Sequence, residues 1–434
     1  MLLGVIKMHR VVITGLGMAN ALGPDTNSCF ERLAAGENGI RRISFWDASE
    51  YQAHVAGEVR SLLRESGIHS YSGPECRRPV RLMTPTALEA FRDAGLDREA
   101  IPARDFGLAL GMSVNYLDMR LMRDYFRLAV PGKYTLDMKR LIEAGEKLPR
   151  YTFFRRQGDT MASIVSRLLK IGGPTMTNDT ACAASSYAVG DAFRLIRRGR
   201  VRAMLAGGAA ALVSPLSILA FSVIGALSRA EDPEEASRPF DRRRDGFVMG
   251  EGAGAVVMES LESAQSRGAR IYGEITGFGA SLNAHTLTDP SPGGAAEAEA
   301  MRLALAEGST PPEEVDYIAA HGTSTPKNDS TETAAIKKVM GSHAMGTAIS
   351  SNKGQIGHTI SAAGISNLVF TLKAMENSLI PPTMHLKESD PECDLDYVPN
   401  RSRKAEIRNA LVNAFAFGGQ NAVLAVRAWN PQRG

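Results

Sequence analysis

One pattern occurs in each half of the chain: an apolar helical stretch, an acidic turn, a short apolar strand and a glycine. The first copy is TALEAFRDAGLDREAIPARDFGLALG, residues 86–111, and the second is EAMRLALAEGSTPPEEVDYIAAHG, residues 299–322. Because strand and helix signals alternate along most of the chain, the sequence predicts an α/β protein whose sheets are covered on both faces. The two copies predict a duplicated fold with a junction near residues 258–272. Chance similarity is the alternative that this pattern alone leaves open.

Further strand and helix signals set limits for the two halves. RVVITG at residues 10–15 is a β-branched run that ends on glycine, VRAMLAGGAA and GAGAVVMES are typical of buried strands, and FERLAAG is helical. We predict an N-terminal half at residues 10–258 and a C-terminal half at residues 272–430. Residues 116–160 are basic, aromatic and partly helical. We interpret them as an insertion that covers a site or forms an interface, with a solvated excursion as the alternative.

Composition and charge exclude several classes of protein. The net charge is only +3, and the arginines are spread along the chain, which argues against nucleic-acid binding.

The uncharged run at residues 203–228 is long enough to cross a bilayer, but it is rich in small residues and interrupted by Pro215. We predict strand, loop and helix there and no membrane span. Four scattered cysteines without a CxxC pair argue against zinc and disulfides and favour a reducing cytoplasm.

A glycine-rich stretch after the first strand, GLGMANALG at residues 15–23, is similar to a dinucleotide-binding loop. Its pattern is GxGxxN, so the third glycine is missing, and no suitable acidic residue is evident. We interpret the stretch as a structural turn.

Cys182 lies in TNDTACAASSYAVGDAFRLIRRGR, residues 177–200, between a predicted strand and a predicted helix at residues 183–198. Arginines in the last turns suit the negative end of the helix dipole, and Gly199 can end the helix in the left-handed conformation. Free N–H groups at a helix start favour a thiolate and can donate to an oxyanion. Cys182 can therefore be interpreted as a reactive cysteine whose pKa the helix start can lower, or as a buried core cysteine.

Two histidines also follow predicted strands. His321 ends VDYIAA and opens HGTSTPKND, and His358 lies in SSNKGQIGHTISAAG. Sites in open α/β sheets gather at the carboxyl ends of strands, so we expect both near Cys182. A cysteine with a histidine can act as a nucleophile, and a second histidine indicates a further charge to stabilise.

Five motifs together carry a family resemblance: DTACAAS, RPFDRRRDGFVMGEGAG, HGTSTPKND, NKGQIGH and NAFAFGGQN. In this order they resemble β-ketoacyl-acyl carrier protein synthases, condensing enzymes with a thiolase-like fold of two duplicated αβαβα halves. The resemblance spans residues 10–429. It implies that Cys182 takes an acyl group from a carrier-protein thioester and that malonyl-carrier protein loses CO2 to give an enolate, which attacks the acyl group. No cofactor is implied, because decarboxylation supplies the carbanion.

The resemblance also implies roles for single residues. His321 and His358 would stabilise the enolate as neutral donors or cations, and Lys353 would set local charge through Glu332 or Asp329. The implied oxyanion donors are the backbone N–H groups of Cys182 and Phe417, and the implied substrate contacts are Phe221, Thr288, Thr323, Thr325 and Phe417. Phe417 would also gate the acyl pocket, on a loop that the adjoining glycines make mobile. The alternatives are a plain salt bridge for Lys353, capping of the turn for the two threonines of GTST, and an ordinary core aromatic for Phe417.

Departures from the family pattern concern the substrate rather than the reaction. In the last motif, relatives usually carry Gly at the position of Ala416 and Thr at the position of Gln420. The fatty-acid branch usually carries Glu at the position of Asn367, and many relatives carry an Arg at the position of Gly225. They favour a specialised pathway, such as type II polyketide synthesis, over general fatty-acid synthesis.

The implied partners are an acyl carrier protein and either a second copy or a ketosynthase-like subunit. Two other classes compete with a condensing enzyme. A thiolase would need a second catalytic cysteine near GGQN, where none occurs. A non-catalytic chain-length-factor subunit would lack the active cysteine.

Overall fold

The computed structural model describes residues 8–62, 76–97, 100–113, 137–146 and 157–430. The strands in these ranges are β1 (Val11–Asn20), β2 (Arg41–Arg42), β3 (Val55–Ala56), β4 (Phe106–Gly111), β5 (Thr175–Asn178), β6 (Ala203–Ala211), β7 (Glu251–Ser260), β8 (Gly273–Leu282), β9 (Tyr317–Ala319), β10 (Ala348–Ser350), β11 (Leu379–Ile380), β12 (Arg403–Lys404), β13 (Asn409–Phe415) and β14 (Gln420–Ala428). The α-helices are α1 (Thr26–Ala34), α2 (Arg78–Asp93), α3 (Met138–Glu146), α4 (Thr160–Leu169), α5 (Ala184–Arg197), α6 (Pro215–Val223), α7 (Pro233–Ala236), α8 (Leu261–Ser266), α9 (Ala295–Glu307), α10 (Pro326–Met340), α11 (Lys353–Ile356) and α12 (Ala363–Asn377).

The sheet topology repeats itself. Among the described strands, ten pair in the order β10-β9-β13-β14-β8-β1-β7-β6-β4-β5. Each half contributes five of these strands. When the five are numbered in chain order, both halves have the same spatial order, 3-2-4-5-1. In the N-terminal half β4 runs parallel to β5 and β6, and in the C-terminal half β9 runs parallel to β10 and β13, whereas the remaining pairs are antiparallel. The predicted duplication is therefore confirmed.

Helices cover both faces of each half. Helices α2 and α4 pack on the outer face of the N-terminal strands, and α9 and α10 cover the C-terminal strands. Helices α5 and α12 pack against each other between the halves, in the largest apolar cluster. The resulting five layers are the predicted αβαβα arrangement. The residue limits of the two halves stay a prediction, and most of the predicted insertion at 116–160 lies outside the described residues.

The stretch GLGMAN is strand, not the predicted turn. Strand β1 continues to Asn20 through a bulge near Thr14, and only the Asn20–Gly23 segment turns. Helix α2 crosses β1 so closely that a Cβ on Gly15 would lie 2.1 Å from the carbonyl oxygen of Ala90. Glycine is required here for helix–strand packing, because any side chain would push the helix away.

The uncharged run at residues 203–228 folds into β6, a loop and α6, as predicted. None of the helices in the described ranges combines the length and apolar character that crossing a membrane requires.

Candidate active site

Cys182 lies on a tight turn between β5 and α5. A single 3-10 turn, Ala181–Ala183, connects them, with Ala181 at φ 46°. Helix α5 ends before Gly199, which is at φ 64° as predicted. The turn can approach β4 because Gly111 has no side chain: a Cβ there would lie 2.4 Å from the backbone of Ala184. The Cys182 side chain is buried, in contact with an apolar cluster.

The two histidines face Cys182 from the C-terminal half. His321 follows β9, and His358 follows α11. His358 Nε2 lies 3.1 Å from Cys182 Sγ, and the two imidazole rings are 5.3 Å apart at 81°. The sulfur and one nitrogen of each ring lie within 4.8 Å of one another. The structure thus brings together the three predicted residues, but the predicted strand-end position is wrong for His358, because the short helix α11 separates it from β10.

Backbone contacts fix the tautomer of His358. The N–H of Ile360 donates to His358 Nδ1 at 3.2 Å, so the ring proton sits on Nε2 and points to Sγ. Burial, followed by the positive charge of Lys353, lowers the pKa of both His321 and His358 well below the usual range. Both rings are therefore neutral donors at pH 7, which decides between the two forms that the sequence left open.

Lys353 is connected to the histidines through the backbone. Its Nζ donates to the carbonyl oxygen of His321, and the side chain is only 2% exposed. Glu332 accepts the N–H groups of His321 and Gly322, both at 2.8 Å, and Asn413 Nδ2 at 2.9 Å. Burial lowers the pKa of Lys353 to about 8, while Glu332 opposes that shift more than Asp329 does. Of the two predicted acids, Glu332 thus acts more strongly on Lys353.

Asp329 shapes the turn that carries the two threonines. Its carboxylate accepts the N–H groups of Thr323 at 3.0 Å and Ser324 at 3.1 Å. Thr325 Oγ1 caps α10 and lies 2.9 Å from Thr323 Oγ1. Both threonines also line the cavity described next. Capping the turn and facing the substrate are therefore compatible roles.

A cavity of about 310 Å³ leads to Cys182. Its wall includes the two histidines and the predicted contact residues Thr288, Thr323, Thr325 and Phe417. Phe221 is not part of that wall. It lies beside Phe417, with ring centroids 6.3 Å apart, and its predicted substrate contact stays a prediction.

The predicted lowering of the Cys182 pKa is wrong. Burial raises the pKa of the thiol to about 11, although the backbone N–H groups of Phe417 and Cys182 and the charge of Lys353 act in the opposite direction. The N–H groups at the helix start lower the pKa as expected. Removal of water from the sulfur by the surrounding apolar side chains raises the pKa by more, so the net shift is upward. Both predicted oxyanion donors do approach the sulfur.

The loop that carries Phe417 has the backbone expected from its glycines. Gly418 and Gly419 have φ of 81° and 77°, and the N–H of Gly418 donates to the carbonyl oxygen of Leu287 at 2.8 Å. The gating role of Phe417 stays a prediction.

Sequence reasoning treated Asn367 only as a departure and missed its contacts. On α12, its Nδ2 donates to the carbonyl oxygens of Ala320 at 3.0 Å and Asn413 at 3.3 Å. Its Oδ1 accepts Asn352 Nδ2 at 2.8 Å. This one amide therefore bridges the segments that carry His321, Lys353 and Phe417. The signal available was an amide side chain in the middle of a mostly apolar helix.

Two family models match this chain. The N-terminal domain of beta-ketoacyl synthases matches residues 8–264, and the C-terminal domain matches residues 272–387. This chain belongs to the β-ketoacyl synthase family. The second catalytic cysteine of a thiolase has no counterpart at this site, since Cys393 of the synthase is buried in a different apolar cluster, below α10.

Alignments with curated relatives span almost the full length of both proteins. It is 38% identical over 426 residues to 3-oxoacyl-(acyl-carrier-protein) synthase 2 of Synechocystis sp., covering 98% of this chain and 99% of the relative. It is 37% identical over 419 residues to the protein of the same name from Staphylococcus aureus (strain COL), covering 96% and 98%.

Solved structures are similar over the whole chain. A type II polyketide synthase acyl-carrier protein in complex with its ketosynthase, AntDE:AntF, has a TM-score of 0.86 at 32% identity, covering 97% of this chain and 100% of that one. A beta-ketoacyl synthase from Burkholderia phymatum STM815 has the same score and identity, covering 98% and 100%. The ishigamide ketosynthase/chain length factor has a TM-score of 0.85 at 32% identity, covering 98% and 100%.

Proposed function

We propose that this synthase catalyses decarboxylative condensation of an acyl group on Cys182 with malonyl-acyl carrier protein, giving 3-oxoacyl-acyl carrier protein in fatty-acid or polyketide chain elongation. One observation carries the proposal. Cys182 Sγ lies at the end of a cavity, 3.1 Å from the Nε2 of His358 and close to a second neutral imidazole. The names of the curated relatives support the same reaction class.

The first half-reaction acylates the cysteine. The sulfur of Cys182 adds to the thioester carbonyl of the acyl-carrier protein, and the new C–S bond replaces the bond to the carrier's sulfur. The carrier leaves as a thiol and takes the proton that Cys182 gives up. The oxyanion forms beside the N–H groups of Cys182 and Phe417, which lie next to Sγ. These donors compensate for the high pKa of the buried thiol.

The second half-reaction makes the carbon–carbon bond. The malonyl carboxylate leaves as CO2, and its electron pair forms an enolate whose oxygen accepts hydrogen bonds from His321 and His358. The enolate carbon attacks the acyl carbonyl, the C–S bond to Cys182 breaks, and the thiolate takes up one proton. Lys353, held against the His321 carbonyl, places a positive charge near this anion. The residues supply all of this chemistry without a cofactor.

The proposed partners follow from the reaction and from the structural neighbours. An acyl carrier protein delivers both substrates, and one neighbour is a ketosynthase in complex with its own acyl-carrier protein. Strand β5 is the last strand of the sheet, with half of its side chains exposed, and offers its edge to a second copy or to a ketosynthase-like subunit. We infer a cytoplasmic location because the chain has only four cysteines, widely scattered and without a CxxC pair. The non-catalytic subunit is not favoured, since Cys182 and both histidines are present.

The test is mass spectrometry of the intact protein after incubation with a panel of acyl-acyl carrier proteins. We expect a mass gain of one acyl group, absent in Cys182→Ala and present in the control Cys393→Ala. Addition of malonyl-carrier protein should then release CO2 and regenerate the free enzyme. Product formation by Cys182→Ala would end the proposal. Alkylation of Cys182 that acyl substrate does not retard would favour the non-catalytic subunit.

A further inference from the structure

His385, in the loop between β11 and β12, is a buried histidine with both ring nitrogens in contact with acceptors. Its Nδ1 lies 2.8 Å from the carbonyl oxygen of Ser237, and its Nε2 lies 3.1 Å from Oε2 of Glu234. A carbonyl and a carboxylate can only accept a hydrogen bond, so each nitrogen must carry a proton to make its contact. The ring makes both contacts at once as an imidazolium. His385 therefore connects its own loop to α7 and to the residue that follows α7.

The loop that carries His385 lies against the helix α11. The backbone of His385 is in the left-handed region, at φ 66°, a conformation that a residue with a side chain keeps only when its surroundings hold it there. Two residues earlier, Thr383 Oγ1 accepts the N–H of Ser351 at 3.0 Å. The loop approaches α11 so closely that a Cβ on Gly354 would lie 3.0 Å from the carbonyl oxygen of Met384. A change in this loop is therefore transmitted to α11.

Ser237 connects His385 with Lys353. Its hydroxyl donates to the carbonyl oxygen of Lys353 at 2.7 Å, and Ser237 is only 1% exposed. Its own carbonyl oxygen accepts the hydrogen bond from Nδ1 of His385. Lys353 in turn donates from Nζ to the carbonyl oxygen of His321. A path of buried hydrogen bonds thus runs from His385 through Ser237 and Lys353 to one of the two active-site histidines.

We propose that His385 is a positioning residue for malonyl decarboxylation and that it acts on Lys353 through Ser237. This inference rests on the proposed function, in which the charge of Lys353 lies near the enolate. Ser237 fixes the carbonyl of Lys353 at the start of α11, and that backbone position sets where the ammonium group meets the His321 carbonyl. Cys182 is held by the other half of the fold, so its acylation does not depend on this path.

Two substitutions separate the side chain of His385 from its backbone conformation, because glycine and asparagine both tolerate a positive φ. His385→Gly removes both contacts. In His385→Asn the amide nitrogen is one bond from Cγ, as Nδ1 is in histidine, and it can still donate to the Ser237 carbonyl. Malonyl decarboxylation should fall about tenfold in His385→Gly and stay within about twofold of the wild type in His385→Asn. Acylation of Cys182 should stay within about twofold in both variants.

His343→Gly is the matched control. His343 also contacts a backbone carbonyl, that of Val315, with Nε2 at 3.2 Å. It follows the C-terminal end of α10, whereas the first residues of that helix line the cavity. This variant should leave both half-reactions unchanged.

Ser237→Ala tests the route to Lys353, since it removes the hydroxyl and keeps the carbonyl that His385 contacts. It should slow decarboxylation about tenfold, and the double variant with His385→Gly should be no slower than either single variant, because both break the same path. The pH profile gives a second readout. The decline in decarboxylation as the charge of Lys353 is lost above pH 8 should be weaker in His385→Gly and Ser237→Ala than in the wild type and His385→Asn.

Three results would each overturn this inference while the wild-type protein still upheld the proposed function. They are equal slowing of both half-reactions in His385→Gly, an asparagine variant no faster than the glycine variant, and losses that multiply in the double variant. Absence of CO2 release by the wild-type protein would instead count against the proposed function itself, and the role of His385 would fall with it.

Discussion

Replacing Asn367 by Leu tests whether one amide holds the catalytic segments in place. The two side chains are similar in size, but leucine cannot donate to the carbonyl oxygens of Ala320 and Asn413 or accept from Asn352 Nδ2. Each buried polar group left unpaired costs about 1–3 kcal/mol, and a carbonyl oxygen keeps a second lone pair for other donors. We expect a loss of about 3–6 kcal/mol in the free energy of unfolding.

Asn20→Leu is the matched control. Asn20 and Asn367 are equally buried, each 2% exposed, but the side chain of Asn20 accepts one backbone N–H, from Leu22, and makes a weak contact with the sulfur of Met18. We expect a loss of about 1–3 kcal/mol for this control. Urea unfolding followed by the fluorescence of the two tryptophans measures both losses.

The same variant should impair one half-reaction more than the other. The carbonyl that Asn367 holds belongs to Ala320, directly before His321, whereas Cys182 is positioned by the other half of the fold. Malonyl decarboxylation should fall at least about tenfold, and acylation of Cys182 should stay within about twofold. Equal losses of stability in the two variants, or unchanged decarboxylation by Asn367→Leu, would refute the role of this amide.

Four further perturbations test the chemistry of the site. Because burial raises the pKa of Cys182 to about 11, iodoacetamide alkylation should speed up about tenfold per pH unit from pH 7 to 9, and a plateau below pH 8 would contradict this. His321→Ala and His358→Ala should each slow CO2 release from malonyl-carrier protein by about a hundredfold or more while acylation persists; normal release in both would show that neither ring serves the enolate. Since the pKa of Lys353 is about 8, its charge is lost as the pH rises through 8, so decarboxylation should decline there in the wild type and not in Lys353→Met. Phe417→Ala should change acyl-chain selectivity in the acylation assay, and an unchanged profile would make it a core residue.

Much of the active site was predictable because strand ends in an α/β fold meet at one place. Cys182 and His321 each follow a strand, and that local position is readable from glycines and apolar runs. Asn367 was not predictable in this way. Its partners lie on three other segments, and the sequence shows only an amide within a mostly apolar helix.

The family motifs anticipated which side chains form the site, but not how far each stands from the substrate path. Phe221 and Phe417 are neighbouring aromatic residues, and only the structure shows that Phe417 lines the cavity whereas Phe221 does not. Which of the two side chains lines the cavity depends on how α6 packs against the loop after β13. The sequence of either segment alone does not determine that packing.

By itself, the sequence determined the layered, duplicated architecture and the positions of the nucleophile and its two histidines, because periodicity, helix ends and strand ends are properties of neighbouring residues. Only the tertiary structure decided the protonation of the site. The pKa of a buried thiol or imidazole depends on how completely distant segments remove its water, and in this protein that loss of solvent outweighs the helix start that the sequence displays.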